Sequence, residues 1–388
     1  MKRPPKESRP PTPAYRAAAL DDLRVQIDHL DQQIVVLLAQ RRRVVQQVAE
    51  VKQQHDLPLY HPAREENLIS ARREEATRAG LDPDFVEDIF RTVMRYSRTK
   101  QLDTLARRSA RPGAEVLIVG GRGKMGTFLG RWFTQSDYAV RVLGRDDWPR
   151  VRALTAGIEL ALLAVPIQAT PAVARRLGPY LAPDCLLADI TSLKTEPLAA
   201  MLQGHRGPVV GLHPLFGPNT VSLDKQIVVV SPGRDPAAGA WLLEQFALWG
   251  SVLVETPPQA HDEIMGIVQA VRHFATFAFG QFLCARRVSI ARTLELSSPI
   301  YRLEMGMVGR LFAQDPALYA QIIFANPERR ALLQEYLRSL HQHIALVKQG
   351  DKAAFIAQFR KVAKWFGPFS EQAMRETTWL IDQLVHRF

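Results

Sequence analysis

The chain has 388 residues, 47% hydrophobic and 23% charged, which is ordinary for globular protein and long enough for two to three domains, each with its own core. A formal net charge of +11 would suit a nucleic-acid partner. No zinc-finger spacing or aromatic-interleaved basic stripe accompanies the charge, and a basic enzyme equally draws small anions into its clefts, so no nucleic-acid partner is expected. Cys185 and Cys284 lie far apart in apolar sequence and read as buried free thiols of a reducing compartment. No uninterrupted apolar run approaches the roughly 20 residues that span a bilayer, so no membrane partner and a cytoplasmic location are expected.

In chain order, residues 1–19 read as a disordered basic tail, rich in proline and without the apolar stretch of a signal peptide. From Leu20 to about His55 neither proline nor glycine intervenes, and a single helix of about 50 Å is predicted. Its apolar residues, Leu20, Leu23, Ile27, Leu30, Ile34, Leu37, Val44, Val48 and Val51, recur by threes and fours and form a packing seam. Arg41 falls inside that seam, where a guanidinium needs an anionic partner, from the protein or from a ligand. Lys52, eleven residues on, projects within about 20° of Arg41, so the two can serve one site. A solvated basic face is the plainer alternative for such a pair. A second helix follows His61-Pro62 and stops near Gly80, with Arg64 and Glu65 in its first turn. A third starts at Asp82-Pro83 and carries Ser97 and Gln101 one turn apart.

The stretch from Leu23 to Gln101 resembles the all-helical chorismate mutases, which are intertwined dimers. The resemblance implies that Arg24, Arg41, Lys52, Arg64, Glu65, Ser97 and Gln101 hold chorismate, with Arg24 reaching into the partner's site. It departs at His61, where some relatives have an acidic residue. The chemistry fits the set, because the pericyclic rearrangement of chorismate to prephenate needs no nucleophile. Arginines clamp two carboxylates in the reactive conformer, and Lys52 and Gln101 donate to the ether oxygen as its negative charge grows. Glu65 accepts from the ring hydroxyl.

After a linker at 106–113, Val116-Leu117-Ile118-Val119 reads as a buried strand entering Gly120-Gly121-Arg122-Gly123-Lys124-Met125-Gly126, with a helix from about Thr127. Strand, glycine turn and helix in that order form a Rossmann dinucleotide fingerprint: Gly121 for the tight turn, Gly123 for the approach of the pyrophosphate, Gly126 for close helix packing. Apolar runs at Ala139–Leu143, Leu160–Val165, Cys185–Ala188, Val209–Leu212 and Ile227–Val230 alternate with other segments as in a parallel α/β sheet. Its ligand edge gathers Val165-Pro166, Asp189 to Lys194 and His213-Pro214. The second strand ends in Leu143-Gly144-Arg145 rather than in an acid, with Asp146 and Asp147 beyond the usual position, so Arg145 can accept an NADP phosphate.

The segments Asp189–Lys194, Gly211–Pro218, Ser297–Arg302 and Met307–Phe312 are similar to prephenate dehydrogenases, a resemblance that runs from about Glu115 to near the C-terminus. It implies that His213 is the catalytic base, Ser192 its polar neighbour and Lys194 a further neighbour. It also implies Arg310 as ligand of the prephenate carboxylate, Gln269 and His273 as lining of the cleft, and NAD ahead of NADP as cofactor. Taken alone, a histidine is more often structural, but His213 follows a strand at the ligand edge. No metal is expected. His341 and His343, two apart on a helix, diverge.

The chain thus reads as multidomain: an all-α chorismate mutase domain at 20–105, an α/β Rossmann-type dinucleotide domain at 114–258, and an all-α dimerisation domain at 259–388, whose apolar helices such as Ile264–Leu283 suit a homodimer core. Tyrosine as feedback inhibitor is implied by the resemblance, with His273 a participant by position. The alternatives are a dehydrogenase for another hydroxy acid and a dinucleotide-sensing regulator; the second leaves Arg41 and His213 unexplained.

Overall fold

The computed structural model describes the backbone of residues 13–54, 62–105 and 108–385, with side chains at 20–51, 63–98 and 108–384. Two compact units emerge. One is built on the three N-terminal helices together with Ser222–Lys225 and Leu248–Ser251; the sheet and the C-terminal helices share the other.

In the first unit, α1 spans Pro13–Gln54, α2 Pro62–Arg78 and α3 Pro83–Leu105. Residues 13–19, expected within the disordered tail, are helical. Pro13 suits a first helical position, and Ala17-Ala18-Ala19 are the best helix formers. Asp82 accepts from the Asp84 N–H at 2.8 Å, fixing the entry to α3. Ile69, Ala76, Val86 and Met94 are buried, forming the core between α2 and α3. The α1 seam is open along its length: Leu23, Ile27, Leu30 and Leu37 are each more than half exposed, and Ala49, which lies outside the seam, is the buried residue near the end of the helix.

The second unit holds a seven-stranded sheet in the order β2-β1-β3-β4-β5-β6-β7. Its strands are β1 Glu115–Val119, β2 Ala139–Leu143, β3 Leu160–Leu163, β4 Leu186–Asp189, β5 Val209–Pro214, β6 Ile227–Pro232 and β7 Val252–Glu255. Leu117, Ile118, Leu160 and Leu162 are fully buried, each worth about 1.5–3 kcal/mol of transfer free energy. The first five strands run parallel, as expected. β6 runs antiparallel to β5, because the connection at 215–226 contains no helix to carry a crossover. β7, not anticipated, is a four-residue edge strand with little burial. Cys185 is buried, and burial pushes its thiol up to about 12; Cys284, expected buried, is exposed.

Between β1 and β5 lie α4 (Lys124–Gln135), the short α5 (Val151–Thr155), α6 (Thr170–Leu177) and α7 (Thr195–Gly204), and α8 (Ala240–Leu248) precedes β7. Past the sheet, α9 (Pro258–Met265) passes through a π-helical stretch, Gly266–Val271, into α10 (Arg272–Ala285). Six further helices follow: α11 Ile290–Glu295, α12 Pro299–Phe312, α13 Pro316–Ile323, α14 Pro327–Gln349, α15 Lys352–Phe366 and α16 Phe369–Val385. Ile167 and Leu193, which follow β3 and β4, pack with Ile322 of α13, which seats that helix near the carboxyl ends of those strands. No helix among the described residues is long and apolar enough to cross a membrane.

Candidate active sites

In the first unit Arg41 and Ser97 meet. The Arg41 guanidinium donates to Ser97 Oγ at 2.7 Å, and Ser97 donates onward to the Val93 carbonyl at 2.8 Å. Burial pulls the Arg41 pKa below its ordinary value, the cost of a cation in an apolar seam. Glu65, in the first turn of α2, is paired with Arg98, one residue beyond Ser97; Arg98 was not anticipated. Arg64 is exposed beside Glu65. Arg24 is exposed and pairs with Asp21 at 3.1 Å. It lies seventeen residues before Arg41, about 25 Å along the axis of α1, and does not join the Arg41 and Ser97 pair. The side chains of Lys52 and Gln101, and all of His61, fall outside the described residues.

In the second unit β1 delivers the chain into the glycine turn. Gly120, rather than Gly121, makes the tight turn, at φ +82°; a Cβ there would lie 2.5 Å from the Ala164 carbonyl oxygen and 3.0 Å from Val165. At Gly126 a Cβ would meet the Gly120 oxygen and Gly121 Cα at 2.6 Å, so the close packing of α4 on the turn is real. Gly123 caps α4 with no side chain on its N–H groups, while Arg122 and Lys124 are exposed and Met125 is half-buried. Bare first-turn donors and the helix dipole suit a pyrophosphate, so the residues present fit a dinucleotide.

His213 is buried near the end of β5 and sits in a chain of four side chains. Its Nδ1 is 2.8 Å from His261 Nε2, and His261 Nδ1 is 2.8 Å from Asp262 Oδ1. Gln269 Nε2 is 3.2 Å from His213 Nε2. Asp262 also accepts from the Lys194 N–H at 2.8 Å and the Thr195 N–H at 2.9 Å. Burial alone would raise the Asp262 pKa, but the bonds from His261, Thr195 and Lys194 outweigh it and hold the carboxyl below its ordinary value. A carboxylate there accepts a hydrogen bond from His261 Nδ1–H, which leaves His261 Nε2 to accept from His213 Nδ1–H. His213 Nε2 then carries a lone pair that accepts from the Gln269 amide. Burial first, then the charges of Lys194, His261 and Arg329, depress the His213 pKa well below its ordinary value, so the ring is neutral at pH 7.

Lys194 is fully buried beneath this chain, donating to Asp189 Oδ2 at 2.5 Å and to the Leu212 carbonyl at 2.7 Å. It locks β4 to β5 and acts on His213 through its charge. Ser192 lies half-buried on the same loop. Its carbonyl accepts from Arg329 Nη2 at 3.3 Å, and among the described residues no hydrogen bond joins it to His213. Arg329 is 2% exposed, donates to the Ile322 carbonyl at 2.6 Å, and has a buried, unbonded Nε. Gln269 Oε1 and His273 Nδ1 are likewise buried without partners. Arg329 acts electrostatically on both His213 and His273, and Gln269 bonds His213, so these orphaned polar atoms call for a polar ligand. His273 packs edge-on against Tyr319 at 4.9 Å, its pKa lowered to about 4 by burial and by Arg272 and Arg329. Arg310 is exposed on α12 and acts electrostatically on Tyr319. Gln269 falls within the π-helical stretch, whose extra residue re-aims its side chain at His213. His261, Asp262 and Arg329 escaped the sequence reading. A histidine beside an acid just after Pro257-Pro258 is the one local signal, and nothing in it indicates a partner 48 residues earlier.

A family model for chorismate mutase type II matches residues 23–102. Models for the nucleotide-binding and the dimerization domains of prephenate dehydrogenase match residues 135–254 and 257–361. The T-protein of Enterobacter agglomerans is 45% identical over 364 residues, 94% of this chain and 97% of that protein. The chain belongs to the T-protein family. The T-protein of Haemophilus influenzae, 42% identical over 365 residues, covers the same shares. The chain is therefore a bifunctional enzyme of tyrosine biosynthesis, a chorismate mutase and a prephenate dehydrogenase in one polypeptide. The crystal structure of prephenate dehydrogenase from A. aeolicus in complex with hydroxyphenyl propionate and NAD+ matches with a TM-score of 0.53 at 19% identity, over 65% of this chain and 97% of that one, a likeness of fold.

Proposed function

We propose that the mutase works through Arg41, Arg64, Ser97, Lys52 and Gln101 with Arg24 from a second copy, and that the dehydrogenase works through His213. In the mutase, Arg41 and Ser97 are already joined and present a half-buried cation to a carboxylate. The clamp orients chorismate, and the donors Lys52 and Gln101 stabilise the ether oxygen as its bond to carbon breaks. A site shared between two chains is supported by the distance of Arg24 from Arg41 and by the open apolar seam of α1, which a second α1 would cover.

The observation that carries the dehydrogenase reading is the hydrogen-bonded chain from Asp262 through His261 to His213. It presents a neutral imidazole whose Nε2 is ready to take the ring-hydroxyl proton of prephenate. Asp262 fixes the tautomer and stabilises the imidazolium that forms. Gln269, which occupies Nε2 in the free enzyme, turns to the substrate and brings its unbonded Oε1 into use. Arg310, His273 and Arg329 surround the carboxylate-bearing part of prephenate. A dinucleotide held at the Gly120–Gly126 turn would supply the acceptor for the hydride of the carbinol carbon. As carbonyl character grows there, the ring carboxylate leaves as carbon dioxide and 4-hydroxyphenylpyruvate results. NAD is the cofactor favoured by this reading, tyrosine the feedback inhibitor at the His273 end of the cleft, and a homodimer the working assembly. Supplying chorismate and NAD to the enzyme should yield 4-hydroxyphenylpyruvate through transient prephenate, at a rate that tyrosine lowers. Accumulation of prephenate with either dinucleotide present would refute the reading of the second site.

A further inference from the structure

The end of β2 lacks the acid that ordinarily receives the adenosine ribose of NAD, yet an acid stands there. A short 3-10 turn, Arg145–Arg150, follows Gly144 at once and carries the Asp147 side chain back onto the strand end. Asp147 Oδ2 accepts from the Gly144 N–H at 2.8 Å and pairs with Arg122 Nη2 at 2.9 Å. The Gly144 bond first, then Arg122, hold the carboxyl below its ordinary value, so it is ionised at neutral pH. Both contacts fall on Oδ2; among the described residues Oδ1 carries no hydrogen bond, and the side chain is 14% exposed. Arg122 lies between Gly121 and Gly123, so the ion pair ties the phosphate-binding turn to the end of β2, the two places where a dinucleotide's adenosine half rests.

We infer that Asp147 is the residue that selects NAD over NADP in this enzyme, its free Oδ1 accepting from the ribose hydroxyls while Arg122 is kept in an ion pair. The inference rests on the dinucleotide reading of the second site. A carboxylate accepts from a 2′-hydroxyl but repels a 2′-phosphate that carries about −1.5 to −2 charge. Arg122 would be the natural partner of that phosphate and is occupied. Arg145 and Arg150, both exposed on the same turn, are the remaining cations that could receive it. Their presence makes the position a switch: with the Asp147 charge gone, Arg122 is released beside them.

The test is equilibrium binding of ADP-ribose and 2′-phospho-ADP-ribose, which lack the nicotinamide and so report recognition without turnover. The native enzyme should bind ADP-ribose the more tightly, and Asp147→Asn, which keeps the side-chain shape, should shift the ratio of dissociation constants toward the phosphorylated ligand by about 30-fold or more. Arg122→Ala should leave ADP-ribose preferred, because the acid remains. A ratio within threefold of native in a folded Asp147→Asn enzyme, checked by its melting temperature, overturns the inference. So does a native preference for the phosphorylated ligand. Failure of the native enzyme to bind either ligand overturns instead the dinucleotide reading beneath it.

Discussion

Replacing His213 by Asn tests the dehydrogenase site most directly. Asn is short enough for the β5 position and keeps an amide near the place of Nδ1, so the contact to His261, 2.8 Å in the parent, has a substitute. No atom of Asn reaches the position of Nε2, the lone pair 3.2 Å from Gln269. The change therefore removes the proton acceptor while leaving its neighbours packed. General-base help is worth about 10²–10⁴ in rate, or about 2.7–5.4 kcal/mol of transition-state stabilisation. We expect the lower bound to hold, a loss of at least about 100-fold in kcat, because the pKa of His213 is depressed and the ring is a weaker base than a free imidazole. The assay is the initial rate of NADH formation from prephenate at saturating cofactor, with the rate of chorismate loss as internal control. NADH binding by fluorescence shows whether the nucleotide site survives. A variant that keeps the mutase and the nucleotide site yet oxidises prephenate within threefold of the parent would refute the role of His213.

Gly126→Val should raise the dissociation constant for NADH by about tenfold or more while sparing the mutase, since its Cβ would sit 2.6 Å from the Gly120 oxygen; unchanged NADH titration would contradict the packing argument. The acid limb of kcat/KM for prephenate should lie below pH 6.5, because a depressed His213 stays neutral there, and a limb above pH 7 would count against it. Stability should also decline as pH falls. His273 titrates at about 4 in the folded chain and near 6.5 when unfolded, so the unfolded chain binds the proton first and stability present above pH 6.5 is lost toward pH 4, which urea melts across that window would read. Arg24→Ala and Lys52→Ala enzymes should each be nearly inactive as mutases, and after subunit exchange their mixture should regain about a quarter of normal activity, since half the dimers then hold one intact site. Verified exchange with no regain would exclude a shared site.

Much of the fold was legible because its causes are local. The three mutase helices begin at Pro62 and Pro83 or run unbroken where neither proline nor glycine occurs, and these punctuations act through φ and missing N–H groups within a few residues. The glycine turn and five of the following strands likewise follow from residue type and run length. Arg41 announced itself as a cation in an apolar seam, and Ser97 proved to be its neighbour. Three things were decided only by tertiary structure. The direction of β6 depends on a connection without a helix, a fact about sheet closure rather than composition. The bond from His261 to His213 brings together residues 48 apart, and the helix that carries His261 is held where it lies by contacts with α7 and β6 and by Asp262, which accepts from the Lys194 and Thr195 N–H groups. Asp147, which counted along the sequence lies past the ribose position, is held at the strand end by the Gly144 N–H of its own turn, and what tertiary structure adds is its pairing with Arg122 of the glycine turn. Residue type sets what a side chain can do within its own turn of helix or strand; which charges and lone pairs meet across the fold is set by long-range packing, to which no local pattern is sensitive.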